Sequence, residues 1–140
     1  METISITFAE FDSEPGIKHV RETVFIKEQN VPVELEWDDA DHTALHVIAK
    51  TNNGDAIATA RLLENGHIGR MAVLEAFRFK GIGTRMLNTL LEKARESGFY
   101  QVFLNAQTSA VGFYQKSGFN PEGDEFLDAG IPHYRMVKEL

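Results

Sequence analysis

The stretch Arg78-Phe79-Lys80-Gly81-Ile82-Gly83-Thr84 is the strongest indication of the fold, because its two glycines lie between a predicted strand and a predicted long helix. Gly81 and Gly83 allow a tight turn that brings backbone N–H groups close to a ligand at the positive end of a helix dipole. Two cationic side chains and a hydroxyl donor lie in the same turn. The segment predicts an anion site, although a turn that needs glycine only for its geometry has the same pattern.

The elements on both sides of this turn follow from hydrophobic spacing. Upstream, Met71-Ala72-Val73 ends a predicted strand. Downstream, a helix is predicted from about Gly81 to Ser97, and Gly98 ends it. The apolar residues of this helix repeat on one face, which predicts a buried stripe of Ile82, Met86, Leu87, Leu90, Leu91 and Ala94.

The amino-terminal half begins with a strand in which Ile4, Ile6 and Phe8 alternate with polar residues. A helix capped by Ser13 is predicted to run to about Gln29. Residues 30–41, which are rich in acids, are expected to form a long exposed or cleft-lining connection. A strand meander follows, with Asn-Gly in both of its turns.

After the central helix, residues 100–106 predict a buried strand, residues 109–116 a short helix and residues 133–139 a last strand in a closing hairpin. Strands followed by a helix, a strand, a helix and a hairpin indicate an α+β fold. We expect one mixed, mostly antiparallel sheet flanked by helices, and a single domain over residues 1–140.

Composition narrows the class of protein. The 140 residues have a formal net charge of −7 and include no cysteine. The acidic balance disfavours a broad nucleic-acid surface, and the lack of cysteine excludes disulfides, thiolate metal sites and cysteine nucleophiles. No basic segment precedes an apolar run at the amino terminus, and no stretch reaches membrane-spanning length. We expect a cytoplasmic protein without nucleic-acid, membrane or metal partners.

Two segments together resemble the GNAT superfamily of acyltransferases. Arg78-x-x-Gly81-x-Gly83 matches the R/Q-x-x-G-x-G/A motif of that family, and residues 113–119, Phe-Tyr-Gln-Lys-Ser-Gly-Phe, look like its aromatic-Tyr-x-x-x-Gly-Phe segment. The motifs occur in the family's order within residues 44–119. Residues 21–32 and 129–133 also resemble a small bacterial branch of the family whose substrate is unassigned.

The resemblance implies an N-acetyltransferase that uses acetyl-coenzyme A and carries the same fold. It implies that Met71, Ala72 and Val73 lie on a splayed strand that pairs with pantetheine, and that residues Arg78 to Thr84 contact the pyrophosphate. Asn105 and Phe113 are expected beside the cofactor arm. Tyr114 matches the tyrosine that protonates the departing thiolate, and a phenol with the usual pKa of about 10 is protonated at neutral pH.

The acceptor and the general base are less defined. Some family members carry a carboxylate on the strand that here reads His67-Ile68-Gly69-Arg70, so the sequence leaves Glu28, Glu36, Asp38 and His46 as candidate bases. We expect a small-molecule amine or a peptide as acceptor. The residues expected to border its pocket are Glu28, Glu36, Asp38 and His133.

Other interpretations stay open. The spacing Glu36-x-Asp38-x-x-Asp41 also resembles a motif of acyl-homoserine lactone synthases, which share this fold. The same acids allow attraction of a cationic amine or an exposed loop without a ligand, and Asp38, Asp39, Asp41 and His42 allow a metal site. A module that binds coenzyme A without catalysis is a third alternative. The family often dimerises, so a homodimer is also open.

Overall fold

A computed structural model describes residues 3–140 as an α+β fold in which two antiparallel sheets are neighbours. The first sheet has the order β1-β2-β3-β4 and the second the order β5-β7-β6. The strands are β1 Ser5–Ala9, β2 Leu45–Lys50, β3 Ala56–Leu62, β4 Ile68–Val73, β5 Gln101–Gln107, β6 Asn120–Asp128 and β7 Ile131–Glu139. The predicted fold class is confirmed.

In the described part of the chain, four α-helices connect or cover these strands: α1 Pro15–Arg21, α2 Val33–Glu36, α3 Ile82–Glu96 and α4 Val111–Gln115. Helix α1 continues as a π-helical segment over Glu22–Glu28, and short 3₁₀ turns cover Asp39–His42, Glu75–Phe77 and Thr108–Ala110. The cap of α1 is Glu14 and not the predicted Ser13, since the Glu14 carboxylate accepts from the Gly16 amide at 3.1 Å. No helix within residues 3–140 is long and apolar enough to span a membrane.

The central core forms where α3 packs across the sheets. All six residues of the predicted α3 stripe are buried, and they join apolar side chains of β2, β3, β4 and β5 in one cluster. The regular stripe explains why the helix was predictable, because an amphipathic helix must bury its apolar face. This packing fixes the amino-terminal end of α3 beside the end of β4.

The expectation of one continuous sheet was wrong. Strands β4 and β5 are parallel neighbours that, within residues 3–140, are paired by a single bridge, His67–Phe103, where the Phe103 amide donates to the Gly66 carbonyl at 3.0 Å. Beyond that point they separate, because β4 contains a bulge: Thr59 pairs with Ala72, but Arg61 pairs with Gly69. The extra residue bends β4 away from β5.

Candidate active site

A cleft of about 320 Å³ occupies the space between the separated strands. Its floor comes from β4 and β5, and the π-helical segment, α2, α4 and the β6–β7 hairpin supply its walls. The lining combines apolar side chains with several groups able to exchange protons or hydrogen bonds. The polar members are Gln29, Glu36, His67, Arg70, Asn105, Gln107, Tyr114, Asp128 and His133.

The edge of β4 that faces away from β3 is open to an extended ligand, apart from the Val73 carbonyl, which accepts from Arg78 Nε. The Leu74 amide donates to the Ile57 carbonyl of β3 at 2.9 Å. Successive residues of a strand direct their backbone groups to opposite sides, so those of Val73 face away from β3. Within residues 3–140, β4 makes no ladder with β5 past His67. This edge fits the predicted role of Met71 and Val73.

The glycine turn lies at the end of the same edge. Gly81 is the N-cap of α3 with φ 80°, a left-handed conformation that favours glycine. No side chain within the described residues caps this helix, and its first turn contains no acid. A Cβ on Gly83 would lie 3.4 Å from Phe113 Cζ, which is a close but ordinary contact. The amides of the turn are therefore available to an anion.

Arg78 is held at the border of this turn by two partners. Its Nε donates to the Val73 carbonyl at 2.8 Å, and its two Nη atoms each donate to a Glu28 carboxylate oxygen at 2.6 Å. The hydrogen bonds from Arg78 hold the pKa of Glu28 below its usual value. A phosphate that binds Arg78 would therefore compete with the Glu28 carboxylate for the guanidinium.

Replacing Glu28 with Gln is expected to tighten acetyl-coenzyme A binding about two- to fivefold. An ion pair that is partly exposed contributes up to about 1 kcal/mol, and its loss releases Arg78 for the phosphates. Calorimetric titration measures the change. Glu22→Gln is the matched control, since it removes the same charge from the same π-helical segment, where Glu22 contacts Lys27 at 3.5 Å. Weaker binding in Glu28→Gln than in Glu22→Gln would contradict this role for Arg78.

Tyr114 lies on α4 where it reaches β4. Its hydroxyl donates to the Met71 sulfur at 3.7 Å, and its ring packs edge-on against Phe113 and Phe119. Burial raises the pKa of Tyr114 to about 12, because the phenolate would lose its hydration. The phenol thus remains a donor at neutral pH, already directed at a sulfur atom.

The remaining predicted cofactor residues are distributed around the turn and the cleft. Ala72 and Ile82 are buried, so their side chains belong to the core. Phe79 is fully exposed with φ 63°, and Lys80 and Thr84 are also exposed. Asn105 lines the cleft from β5, while Phe113 lies against Gly83. The structure therefore brings most of these residues near one edge but leaves Phe79 and Lys80 at the surface.

Residues 30–41 are largely exposed and line the cleft through Leu35 and Glu36, as expected, but two of their acids, Glu36 and Asp41, belong to a buried network of ion pairs. Glu36 and Asp41 are only 3% and 1% exposed. Arg21 is fully buried and donates to Glu36 at 2.7 Å and to Asp41 at 2.6 Å. Arg61 donates to Asp41 at 2.7 Å and to Asp38 at 2.8 Å. Within residues 3–140, no cluster of three His, Cys, Asp or Glu side chains is placed to hold a metal ion.

The network controls the protonation of its acids. Hydrogen bonds from Arg61 lower the pKa of Asp38 to about 2. Burial pushes the pKa of Asp41 upward, but contacts with Arg21 and Arg61 outweigh it and the pKa is lowered. At Glu36 burial prevails over the Arg21 ion pair, and the pKa is raised. Ionised Asp38 and Asp41 are thus bound to arginines at neutral pH.

Each candidate base from the sequence has a partner in the structure. Glu28 is paired with Arg78, Glu36 with Arg21 and Asp38 with Arg61. His46 is 1% exposed, and its Nε2 lies 2.9 Å from the Asp41 carbonyl. Of the residues predicted to border the acceptor pocket, the cleft lining includes Glu36 and His133 but neither Glu28 nor Asp38.

Sequence reasoning missed Arg70 and the polar bridge at the mouth of the cleft. Arg70 has φ 49° in the β4 bulge and donates to the Leu35 and Glu36 carbonyls at 3.2 to 3.3 Å. Gln107 donates to Gln29 at 3.0 Å, which joins β5 to the end of the π-helical segment. No local signal marks these contacts, since they depend on how the strands separate.

Comparisons with known proteins agree with this geometry. The sequence profile of the acetyltransferase (GNAT) domain matches residues 13–140. The chain is 39% identical over 124 residues to YjcF, an uncharacterized N-acetyltransferase of Bacillus subtilis, covering 86% of this chain and 89% of that protein. The crystal structure of Escherichia coli ElaA superimposes with a TM-score of 0.86 at 28% identity, covering 98% of this chain and 100% of that chain. A GNAT family acetyltransferase from Elizabethkingia anophelis, solved with acetyl-CoA bound, has the same fold with a TM-score of 0.73 at 20% identity, covering 98% of each chain.

Strands β4 and β5 separate beside a helix whose N-cap residue is a glycine. Together with these matches, this arrangement defines an acyltransferase that uses an acyl-coenzyme A co-substrate. The chain belongs to the GNAT acetyltransferase family.

Proposed function

We propose that this chain, as a single domain, transfers an acetyl group from acetyl-coenzyme A to the primary amine of a small molecule or peptide. The observation that carries the proposal is the free β4 edge, which runs past the Tyr114 hydroxyl to the uncapped amides of α3. One continuous track thus offers strand-like pairing, a proton donor and an anion site. An acyl thioester with an extended amide arm and a pyrophosphate has matching chemistry.

The residues present fit coenzyme A. Met71 and Val73 would pair with the amides of its arm, while the turn from Arg78 to Thr84 would hold its phosphates. Asn105 and Phe113 lie beside these two segments. The acetyl-CoA seen in the related fold from Elizabethkingia anophelis supports the same choice of donor. The thioester supplies an activated acetyl carbon, and the protein supplies its position and the proton transfers.

Tyr114 is the proposed proton donor to the leaving sulfur. Its hydroxyl already donates to the sulfur of Met71, a soft acceptor that a thioester sulfur would replace. The raised pKa makes complete proton transfer to a thiolate unfavourable, since a thiol ordinarily has a pKa of about 8.5. Tyr114 therefore acts first as a strong hydrogen-bond donor, which stabilises the negative charge as the carbon–sulfur bond breaks.

Titration calorimetry with acetyl-coenzyme A tests the proposal. Wild type is expected to bind, and Gly83→Asp to bind at least about 100-fold more weakly, since a carboxylate about 4 Å from a phosphate costs about 4 kcal/mol at an effective dielectric constant of 20. Gly83→Ala is the control, because its Cβ meets Phe113 at an ordinary contact distance. Absence of binding by folded wild type would refute the acetyltransferase assignment for this chain.

Binding alone does not separate an enzyme from a module that only holds coenzyme A. A panel of primary amines, followed by release of free thiol, makes that distinction. Thiol release that depends on an amine supports catalysis, whereas tight binding without release across the panel favours the binding module. The lactone synthase alternative has less support, because Glu36, Asp38 and Asp41 are each bound to an arginine.

A further inference from the structure

The cleft contains several groups that ionise, but their surroundings differ. The charged groups are Glu36, Arg70 and Asp128, and the other titratable groups are His67, Tyr114 and His133. Glu36 is bound to Arg21, and Tyr114 donates to Met71. Asp128 lies on the exposed edge strand β6. The two histidines are therefore the cleft groups to compare as acceptors of a proton from a bound amine.

His133 is fixed in one tautomer by its own strand. Its Nδ1 lies 2.6 Å from the Ile131 carbonyl oxygen. A carbonyl oxygen can only accept, so Nδ1 carries the hydrogen and the neutral ring has its lone pair on Nε2. The ring also stacks on Phe126, with centroids 5.9 Å apart and planes inclined by 24°. Both contacts restrict rotation of the imidazole.

The Nε2 atom of His133 remains available to the cleft. Within residues 3–140 it makes no hydrogen bond, and the only enclosed side-chain nitrogen or oxygen atom without a partner is Arg61 Nε. The residue that faces His133 across β5 is Gln107, which is uncharged, and the one across β6 is Phe126. An oriented lone pair at the wall of a polar cleft is the arrangement that a general base requires.

His67 is placed less well for this role. It forms the bridge to Phe103 where β4 and β5 meet, and its ring stacks on Phe103 with centroids 4.7 Å apart. Burial, together with the charges of Arg61, Arg70 and Arg135, lowers the pKa of His67. This environment opposes acceptance of a proton.

We infer that His133 is the general base that removes a proton from the acceptor amine, an inference that rests on the proposed acetyl transfer. The acceptor loses its ammonium proton to solvent and reacts as the free amine. The nitrogen lone pair then forms the bond to the acetyl carbon, and the electron pair of the carbon–sulfur bond leaves on sulfur. Nε2 of His133 takes a proton from that nitrogen and passes it to solvent, and the sulfur, stabilised by the hydrogen bond from Tyr114, takes up one proton from solvent, so that each turnover releases one proton.

The dependence of kcat/KM on pH tests this role, with an alkylamine from the panel as acceptor. In wild type, both the amine and the imidazole must lose a proton, so log kcat/KM should rise with a slope of two at the acidic end. His133→Gln should show a slope of one and a kcat/KM about 100-fold lower at pH 7. His67→Gln is the matched control and should retain the slope of two.

Two further measurements distinguish loss of the His133 role from unfolding of the variant and from failure of the proposed acetyl transfer. Unchanged acetyl-coenzyme A affinity shows that His133→Gln is folded, and nitrogen NMR of wild type should find the hydrogen of His133 on Nδ1. A slope of two in His133→Gln, or a hydrogen on Nε2 of the neutral wild-type ring, overturns the inference while leaving acetyl transfer in place. No amine-dependent thiol release by wild type overturns the proposed function and this inference with it.

Discussion

Tyr114→Phe is expected to lower kcat for acetyl transfer by about 100- to 1,000-fold while acetyl-coenzyme A affinity changes less than twofold. General acid catalysis typically contributes factors of this size, and the substitution removes only the hydroxyl. The ring contacts with Phe113 and Phe119 are retained, so the packing of α4 should persist. Steady-state kinetics with calorimetric binding separates the two quantities.

The pH dependence of the same reaction provides a second check. Burial raises the pKa of Tyr114 to about 12, so the phenol keeps its proton up to about pH 11 and loses it only above that. The wild-type kcat should therefore show no decline from this group below pH 10.

Tyr100→Phe is the control for Tyr114→Phe, because Tyr100 is 88% exposed and lies outside the cleft lining. Full kcat in Tyr114→Phe would remove this residue from the mechanism.

Arg21→Ala is expected to reduce the free energy of unfolding by about 3–5 kcal/mol. The substitution removes the nearest cation of buried Glu36 and one of the two arginines bound to buried Asp41, and breaking a buried ion pair by removing one partner costs about this much. Because small domains are stable by only about 5–15 kcal/mol, this loss is a large fraction of the total. Urea unfolding at pH 7 measures it.

Lys27→Ala is the matched control for Arg21→Ala. It removes an exposed cation whose partner Glu22 lies 3.5 Å away, and it should change the unfolding free energy by less than about 1 kcal/mol. A similarly small effect in Arg21→Ala would mean that water or a rearranged Arg61 replaces the lost cation. The network would then be dispensable to the fold.

The sequence was most informative where one element determines its own structure. The apolar stripe of α3 and the glycines before it follow from helix periodicity and backbone freedom, and both are present as predicted. Tyr114 was found through a motif, and its place beside Met71 is consistent with the role assigned to it. These features require no knowledge of which strands are neighbours.

Features that depend on several elements were not predictable in the same way. The β4 bulge at Arg70 is a backbone irregularity that apolar alternation does not reveal. The sequence did not reveal the ion pairs of Glu36 and Asp41, because their partners, Arg21 and Arg61, are distant in sequence. Arg61 within the largely apolar run of β3 was the available signal, since a buried arginine requires acidic partners.

The arginine contacts to α2 fix where this wall of the cleft lies, but they do not fix which side chains it presents. Arg21 and Arg70 hold the Glu36 carbonyl, and Arg70 also holds the Leu35 carbonyl, so the attachment runs through main-chain atoms. The Leu35 side chain is 55% exposed and lines the cleft. Evolution or an engineer can therefore exchange this side chain to suit a different amine while the backbone that carries it stays anchored.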